Sequence, residues 1–487
     1  MKELNALDHR FMTLWLNFGR VMETKKIHFV GVGGVGMGTF AVALSQAGYQ
    51  ITGSDQKLYE PMKSVLEKNK IKAIEGYDST TIDKVSPELV VIGNVTRRDN
   101  PEVKAWLNKG IKFISFPEAV RTFLIQDKTS IVCAGTHGKT TTTAWVSFLL
   151  KELGRDPSYL IGGVPRDLES GCALTKSDLF VVEGDEYDSA FFDKGPKFLH
   201  YAPHFLILAN IEFDHADIYK DLDHVRSSFE KLVALLPGDG LCIARFDDPL
   251  VMHVASGALC PVQTFGTGAG AMWKIGKVEE SESGIEFEVL YRNRSIGTFK
   301  TPLFGEYNLV NLLSGMIVAV NLGMPMDKVR TIIEKFHGAK RRQEILLEKP
   351  ILLIDDFAHH PTEVAATLSS VKRRYGTRKI WALFEPRSAT ARRKTHQEDY
   401  VKAFDSADCV FINSPFRSTE VSEEQRFSSD LLAKELEGKG KTAQSFNNVS
   451  DMLSLLLPQL KENDIVVVMS NGEFDKIQEK IVTYFSK

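Results

Sequence analysis

The chain has 487 residues, too many for one ordinary domain, and length alone predicts about three. Apolar residues at 43% and charged residues at 25% belong to a globular protein, neither a membrane-spanning nor a disordered one. A formal net charge of −3 excludes an electrostatic footprint for nucleic acid or anionic membrane, so the expected partners are small molecules held in clefts.

Residues 1–24 read as an N-terminal extension. Phe11–Phe18 is apolar but too short to span a bilayer, and no small-residue cleavage site follows it. Phe11, Leu14, Trp15, Phe18 and Val21 recur at helical spacing, which predicts a short amphipathic helix; Met22 is an alternative start. Because the segment carries no chemical motif, deleting Met1–Thr24 should leave turnover nearly unchanged, as a rate comparison with the full chain would test.

A first unit, residues 25–127, opens with the strand pattern Ile27–Val30 and runs into Gly31-Val32-Gly33-Gly34-Val35-Gly36 and a helix. Asp55 stands about twenty residues on, at the end of a second strand, as in a dinucleotide site. Alone, this motif favours NAD and an oxidoreductase; the pyrophosphate of a UDP-sugar would suit the same helix N-terminus.

A second unit, residues 128–342, starts with Ile131–Ala134 and enters Gly135-Thr136-His137-Gly138-Lys139-Thr140-Thr141-Thr142, followed by a helix. Phosphate oxygens need many donors in a small space; a glycine turn at a helix N-terminus supplies them, and lysine adds a point charge. Thr140 then stands where a hydroxyl can ligate Mg²⁺, and Lys139 is expected to be exposed in its loop. Glu183-Gly184-Asp185-Glu186 leaves a strand as a candidate Mg²⁺ ligand set, and Asn210-Ile211-Glu212-Phe213-Asp214-His215 leaves another. Between about residues 261 and 302 the pattern turns to short alternating strands, an antiparallel flap. Asn308 and Asn311 head a helix; capping explains one, and base recognition has use for the other.

A third unit, residues 343–487, repeats strand-length apolar runs between helices. Arg341 and Arg342 lie at the junction, Asp355-Asp356-Phe357-Ala358-His359-His360-Pro361-Thr362-Glu363 ends one strand and Glu385-Pro386-Arg387-Ser388 the next. Ligands of open α/β sheets bind at such strand ends. The five cysteines, Cys133, Cys172, Cys242, Cys260 and Cys409, are scattered with no CxxC pair; this argues against a disulfide framework or a zinc site and fits a reducing cytoplasm.

Taken together, the glycine loop, the Asn-x-x-x-Asp-His string, the paired asparagines, Arg341-Arg342 and Asp-Asp-x-Ala-His-His-Pro-Thr-Glu resemble, in order, the Mur ligases of cell-wall biosynthesis. The resemblance runs from about Lys26 onward and is nearest to members that take UDP-N-acetylmuramate. It implies an α/β fold of three domains: Rossmann-like N-terminal, P-loop ATPase-like central and Rossmann-like C-terminal. It also implies ATP and Mg²⁺, and a monomer or weak homodimer in the cytoplasm. Glu186–Lys194, Phe384–Ser388 and Gly93-Asn94 with Asn100-Pro101 look like the members that join L-alanyl-γ-D-glutamyl-meso-diaminopimelate; L-alanine is the alternative acceptor.

Carried over residue by residue, the resemblance assigns ATP to Gly135, Thr136, His137, Gly138, Lys139, Thr140, Thr141, Asn311, Arg342 and Asp356. Thr140 and Glu183 are expected to hold one Mg²⁺ and His215 with Glu183 a second, and Lys139, Glu183 and His215 form the catalytic set. Gly33, Gly34, Val35, Gly36, Ser54, Asp55 and Asn94 fall to the UDP-sugar, and Arg387 and Ser388 to the peptide. Two histidines, His215 and His359, stand as candidates for the base that deprotonates the attacking amine.

Overall fold

The computed structural model describes residues 24–486 except Pro61, so the amphipathic helix expected at the N-terminus lies outside the described residues. The fold is α/β throughout, built on three sheets in succession. The first holds β1 (Lys26–Val30), β2 (Gln50–Asp55), β3 (Lys72–Glu75), β4 (Leu89–Ile92) and β5 (Phe113–Ser115), all parallel, in the order β3-β2-β1-β4-β5. Strand order reverses beside β1. Val30 pairs with Ser54 on one side and Ile92 on the other, so Gly31, Asp55 and Gly93 emerge together at one sheet edge.

The central sheet contains β6 (Thr129–Ala134), β7 (Ser158–Leu160), β8 (Cys172–Ala173), β9 (Leu179–Gly184), β10 (Phe205–Leu208), β11 (Leu241–Arg245), β12 (Val262–Gly266), β13 (Trp273–Ser281), β14 (Gly284–Tyr291) and β15 (Arg294–Thr301). β6 lies between β9 and β10; Ala134 pairs with Gly184 and with Leu208. That register sets the phosphate loop, the acidic segment and Asn210 side by side. Ile131, Val132 and Cys133 are buried on both faces, the mark of a parallel strand covered by helices. The expected antiparallel flap is β13-β14-β15, and it continues the same sheet: β13 pairs with β12, and the alternation starts at Trp273 rather than at residue 261.

Helix Lys139–Glu152 is buried from Thr140 to Leu150 because helix Glu306–Asn321 packs over it. Trp145 Nε1 donates to Leu312 O at 2.9 Å, and a Cβ at Gly315 would collide with its indole, so glycine permits that approach. The third sheet has β16 (Glu344–Leu347), β17 (Leu352–Asp356), β18 (Ile380–Phe384), β19 (Cys409–Asn413), β20 (Thr442–Phe446) and β21 (Ile465–Met469), in the order β16-β17-β21-β18-β19-β20. Only β16 runs antiparallel there. None of the described helices is long and apolar enough to cross a membrane.

Polar contacts join the sheets' domains. Ser115 Oγ donates to Asp193 Oδ2 at 2.6 Å between the first and second, and Thr362 Oγ1 to Glu212 Oε2 at 2.6 Å between the second and third. Ala216 N donates to Thr390 Oγ1 at 3.1 Å, and the Arg374 guanidinium donates to the flap carbonyl of Glu282.

Candidate active site

The phosphate loop starts where β6 ends. Gly135 (φ 144°) and Gly138 (φ 80°) take backbone angles that a side chain would strain, and Gly138 caps the helix that Lys139 opens. Lys139 is held tightly. Its Nζ donates to Gly135 O at 2.8 Å, Thr136 O at 3.0 Å and Glu186 Oε2 at 2.8 Å. Its side chain is only 10% exposed, and that of Glu186 only 3%. The expectation of an exposed Lys139 is therefore corrected: the loop's own carbonyls and a buried carboxylate enclose it. Burial works against its charge, but Glu186 and Asp185 outweigh burial and keep its pKa above the ordinary lysine value.

Thr140 Oγ1 donates to Glu183 Oε1 at 2.8 Å, and Glu183 Oε2 accepts from Gly162 N at 2.7 Å. A hydroxyl and a carboxylate are thus preassembled beside the loop, an oxygen donor set that suits Mg²⁺. Burial raises the Glu183 pKa, helped by Asp185. His215, in a left-handed turn (φ 54°), has its Nε2 3.2 Å from Glu186 Oε1. The direct partner of His215 is thus Glu186, a residue read from the sequence only as part of an acidic run, while Glu183 and His215 were expected to share an ion. Burial pushes Glu186 up, but Lys139 and His215 hold it below the usual range. Its burial between two cations is invisible in a run of four acidic-segment residues.

The substitution His215→Ala should lower the rate and raise the Mg²⁺ concentration for half-maximal activity about tenfold or more. A titration of rate against Mg²⁺ checks this. An unchanged Mg²⁺ dependence would make His215 structural.

Beside the loop lies a cavity of about 420 Å³, lined among others by His137, Gly138, Tyr307, Asn311, Arg342 and Asp356. Asn311 presses on the loop so closely that a Cβ at Gly138 would stand 2.8 Å from its Oδ1. Neither asparagine caps the helix, whose cap is Gly305; Asn308 Nδ2 instead donates back to Phe304 O at 2.9 Å. Arg342 lies 4.8 Å from the centroid of the Phe357 ring and 3.9 Å from Glu363. Thr136 and Thr141 are buried in the loop and first turn; Thr141 also lines the cavity.

Asp356 accepts from Gln343 N at 2.8 Å and Ala358 N at 2.7 Å, yet burial, offset in part by Arg342, raises its pKa from 3.8 to about 6. A carboxyl that binds its proton more tightly when folded stabilises fully below its unfolded pKa. That contribution is lost as pH rises through the folded value, about 3 kcal/mol for a shift of this size. Replacing Asp356 with Asn should remove that slope. The variant should therefore gain stability relative to the parent protein between about pH 4 and pH 7, read as the difference between their urea midpoints at each pH.

In the first domain, Gly33 N donates to Asp55 Oδ2 at 2.8 Å, so Asp55 shapes the glycine turn itself. Gly34 is the N-cap of helix Val35–Gln46, and no side chain caps it; Gly36 packs near Phe116. Asn94 is exposed at the β4 end. Ser54 is fully buried, with its Oγ 3.3 Å from His28 Nε2; its hydroxyl faces inward and its carbonyl accepts from Gly31 and Val32.

In the third domain, the Arg387 guanidinium lies 3.8 Å from the centroid of the Phe416 ring, with Glu385 at 3.5 Å. Ser388 Oγ accepts from Ala391 N at 3.0 Å, which ties it into its own turn. Both histidines suggested as a base stand among carboxylates. His359 stands 3.2 Å from Glu363 and 3.8 Å from Asp214; burial lowers its pKa, but these carboxylates raise it on balance. Burial likewise lowers the pKa of His215, but Glu186 and Asp214 raise it on balance.

Family models match in sequence: the Mur ligase family catalytic domain over residues 26–128, the Mur ligase middle domain over 133–319 and the Mur ligase glutamate ligase domain over 341–472. The UDP-N-acetylmuramate–L-alanyl-γ-D-glutamyl-meso-2,6-diaminoheptandioate ligase of Escherichia coli K12 is 36% identical over 469 residues, 95% of this chain and 98% of that protein. The UDP-N-acetylmuramate–L-alanine ligase of Caldanaerobacter subterraneus is 31% identical, covering 94% of this chain and 97% of that one. A crystal structure of a murein peptide ligase from Psychrobacter arcticus matches with a TM-score of 0.72 at 30% identity over 94% of this chain and 98% of that one. Matches of this length and identity, on a chain whose phosphate loop meets the acidic strand end of its own sheet and Glu363 of the third domain, establish that it belongs to the Mur ligase family.

Proposed function

We propose that this chain is an ATP-dependent ligase that joins the lactyl carboxylate of UDP-N-acetylmuramate to the amine of L-alanyl-γ-D-glutamyl-meso-diaminopimelate, in cytoplasmic recycling of cell-wall peptide. The observation that carries the acceptor is Arg387, a guanidinium braced on Phe416 at the C-terminal end of β18, in the domain whose Glu363 contacts His137 of the phosphate loop. A relative named for this tripeptide is 36% identical, against 31% for one named for L-alanine.

The carboxylate attacks the γ-phosphorus of ATP, giving an acyl phosphate and ADP. The peptide amine then attacks the acyl carbon, and inorganic phosphate leaves as the amide forms. Such transfer is mostly positioning and charge neutralisation. Lys139 would exchange Glu186 for the β- and γ-phosphates, and the backbone N–H groups of Gly138–Thr141 at the helix N-terminus would face them. Thr140 and Glu183 would hold Mg²⁺, with Glu186 and His215 facing a second ion; the metal supplies charge neutralisation at the phosphates. Asn311 would meet the adenine, with Arg342 and Asp356 at the domain junction. The turn of Gly33, Gly34, Val35 and Gly36 would receive the UDP pyrophosphate at a helix N-terminus, with Asp55 and Asn94 beside it. A nicotinamide cofactor has no use for the second loop, which sets the oxidoreductase reading aside.

L-Alanine is the second reading. The L-alanine ligase of Thermotoga maritima has a TM-score of 0.79, higher than the peptide ligase at 0.72. In a three-domain chain that score depends on interdomain angle as well as on acceptor chemistry. Purified protein with ATP, Mg²⁺ and UDP-N-acetylmuramate, offered the tripeptide or L-alanine, separates the two through ADP release. Faster release with the tripeptide is expected. Faster release with L-alanine would overturn the acceptor, and release with neither would overturn the ligase.

A further inference from the structure

His137 of the phosphate loop, Glu212 beyond β10 and His360 at the head of helix Pro361–Tyr375 converge where the second and third domains meet. Glu212 Oε2 is 3.7 Å from His137 Nε2 and 3.6 Å from His360 Nδ1. These spacings are too long for hydrogen bonds. Two ligand atoms each about 2.0–2.2 Å from one tetrahedral zinc stand about 3.3–3.5 Å apart; the two separations to Glu212 are within a few tenths of an ångström of that, and all three ligand atoms lie within 4.8 Å of one another, so the imidazoles would close on a bound ion.

Independent observations indicate that the nitrogens are available. His137 Nε2 and His360 Nε2 are both buried with no hydrogen-bond partner, and His360 is only 5% exposed. His360 Nδ1, the atom that faces Glu212, accepts only a long hydrogen bond from Thr362 N at 3.3 Å, which a metal bound there would replace. The surroundings are those of a metal site. Glu363 Oε1 lies 3.2 Å from His137 Nδ1 and orients the opposite nitrogen toward Glu212, and Thr362 Oγ1 holds Glu212 Oε2 at 2.6 Å. A carboxylate behind a ligating histidine fixes its tautomer and raises its basicity. The ligand set contains no cysteine, which is why cysteine spacing gives no sign of it.

We infer that His137, Glu212 and His360 form a site for a borderline divalent transition cation of the zinc class, separate from the Mg²⁺ ligands, which ties the third domain to the phosphate loop. The inference does not depend on the identity of the acceptor or on turnover. Two histidines and one carboxylate leave a fourth position open, and His137 and Glu212 also line the cavity beside the phosphate loop. Such a set prefers zinc or cobalt to Mg²⁺, which favours oxygen ligands.

The test is Zn²⁺ binding to the full chain by equilibrium dialysis at about pH 8 in excess Mg²⁺, where metal can displace the imidazole proton. Co²⁺ absorption then reports tetrahedral geometry. Two variants probe the site: His360→Asn, which keeps a helix-capping side chain, and Glu212→Gln, which keeps the acceptor for Thr362. Each should weaken Zn²⁺ binding about tenfold or more and remove the tetrahedral Co²⁺ band, while His215→Ala retains both. Thermal unfolding without metal verifies that the variants are folded. Zn²⁺ binding that is undetectable in the parent, unchanged in both folded variants, or lost in His215→Ala instead would overturn the inference.

Discussion

Replacing Lys139 with Ala should abolish ADP release and also lower the stability of the protein. The first effect follows from position: Lys139 Nζ donates to two carbonyls of the turn, Gly135 O and Thr136 O, and so places its charge at the phosphate loop. Removing one preorganised donor from a developing charge typically lowers the rate about 10²–10³-fold, and a phosphate-loop lysine serves two phosphates. The second effect follows from Glu186, 3% exposed and 2.8 Å from the ammonium. Removing one partner of a buried pair costs about 3–5 kcal/mol, because the remaining charge is left without compensation. His215, at 3.2 Å from the same carboxylate, retains part of the compensation, so a loss near the low end is expected. The double variant Lys139→Ala, Glu186→Gln separates the effects: urea denaturation should show most of the stability restored, while ADP release stays absent. A single variant as stable as the parent would mean that the pair contributes nothing to folding. One that keeps near-normal turnover would remove the phosphate-loop assignment.

Backbone chemistry was the most legible layer. Glycines that precede a helix and follow an apolar strand have few alternatives, and both such turns are where local pattern predicts them. The alternating run at Ile285–Leu290 likewise marks β14, since one face of an antiparallel strand meets the core and the other does not. Contacts between distant segments were not legible. Nothing near Lys139 in the chain indicates that Glu186, 47 residues away, would neutralise it, or that Glu363, 226 residues from His137, would stand behind that imidazole. Both depend on register between strands and on how the third domain sits. Ser54 shows the same limit: its place beside Asp55 suggests a ligand contact, but the period of two along β2 turns its hydroxyl inward to His28.

The substitution Arg387→Lys should raise the KM for the tripeptide while leaving those for ATP and UDP-N-acetylmuramate nearly unchanged. A tripeptide offers several carboxylates beyond its reacting amine, and a planar guanidinium can hold one of them through two parallel hydrogen bonds. The structure prepares Arg387 for that geometry. Its guanidinium lies 3.8 Å from the centroid of the Phe416 ring, and a Cβ at Gly472 would collide with it, so the group is confined between a ring and bare backbone. Glu385, at 3.5 Å, is too distant for a strong bond and leaves donors free; Ser470 Oγ donates to the same carboxylate at 2.7 Å and holds it back. Lysine keeps the charge but loses the plane and the fork. A hydrogen bond to a charged group is worth about 1.5–3 kcal/mol, which corresponds to a KM increase of roughly ten- to 150-fold for the tripeptide. The effect should fall on KM before kcat, since the carboxylate held is remote from the bond that forms. An equal rise in the KM for UDP-N-acetylmuramate would place Arg387 on the sugar instead. An unchanged tripeptide KM would leave it a structural brace for Phe416, with the acceptor read by other residues at the same strand ends.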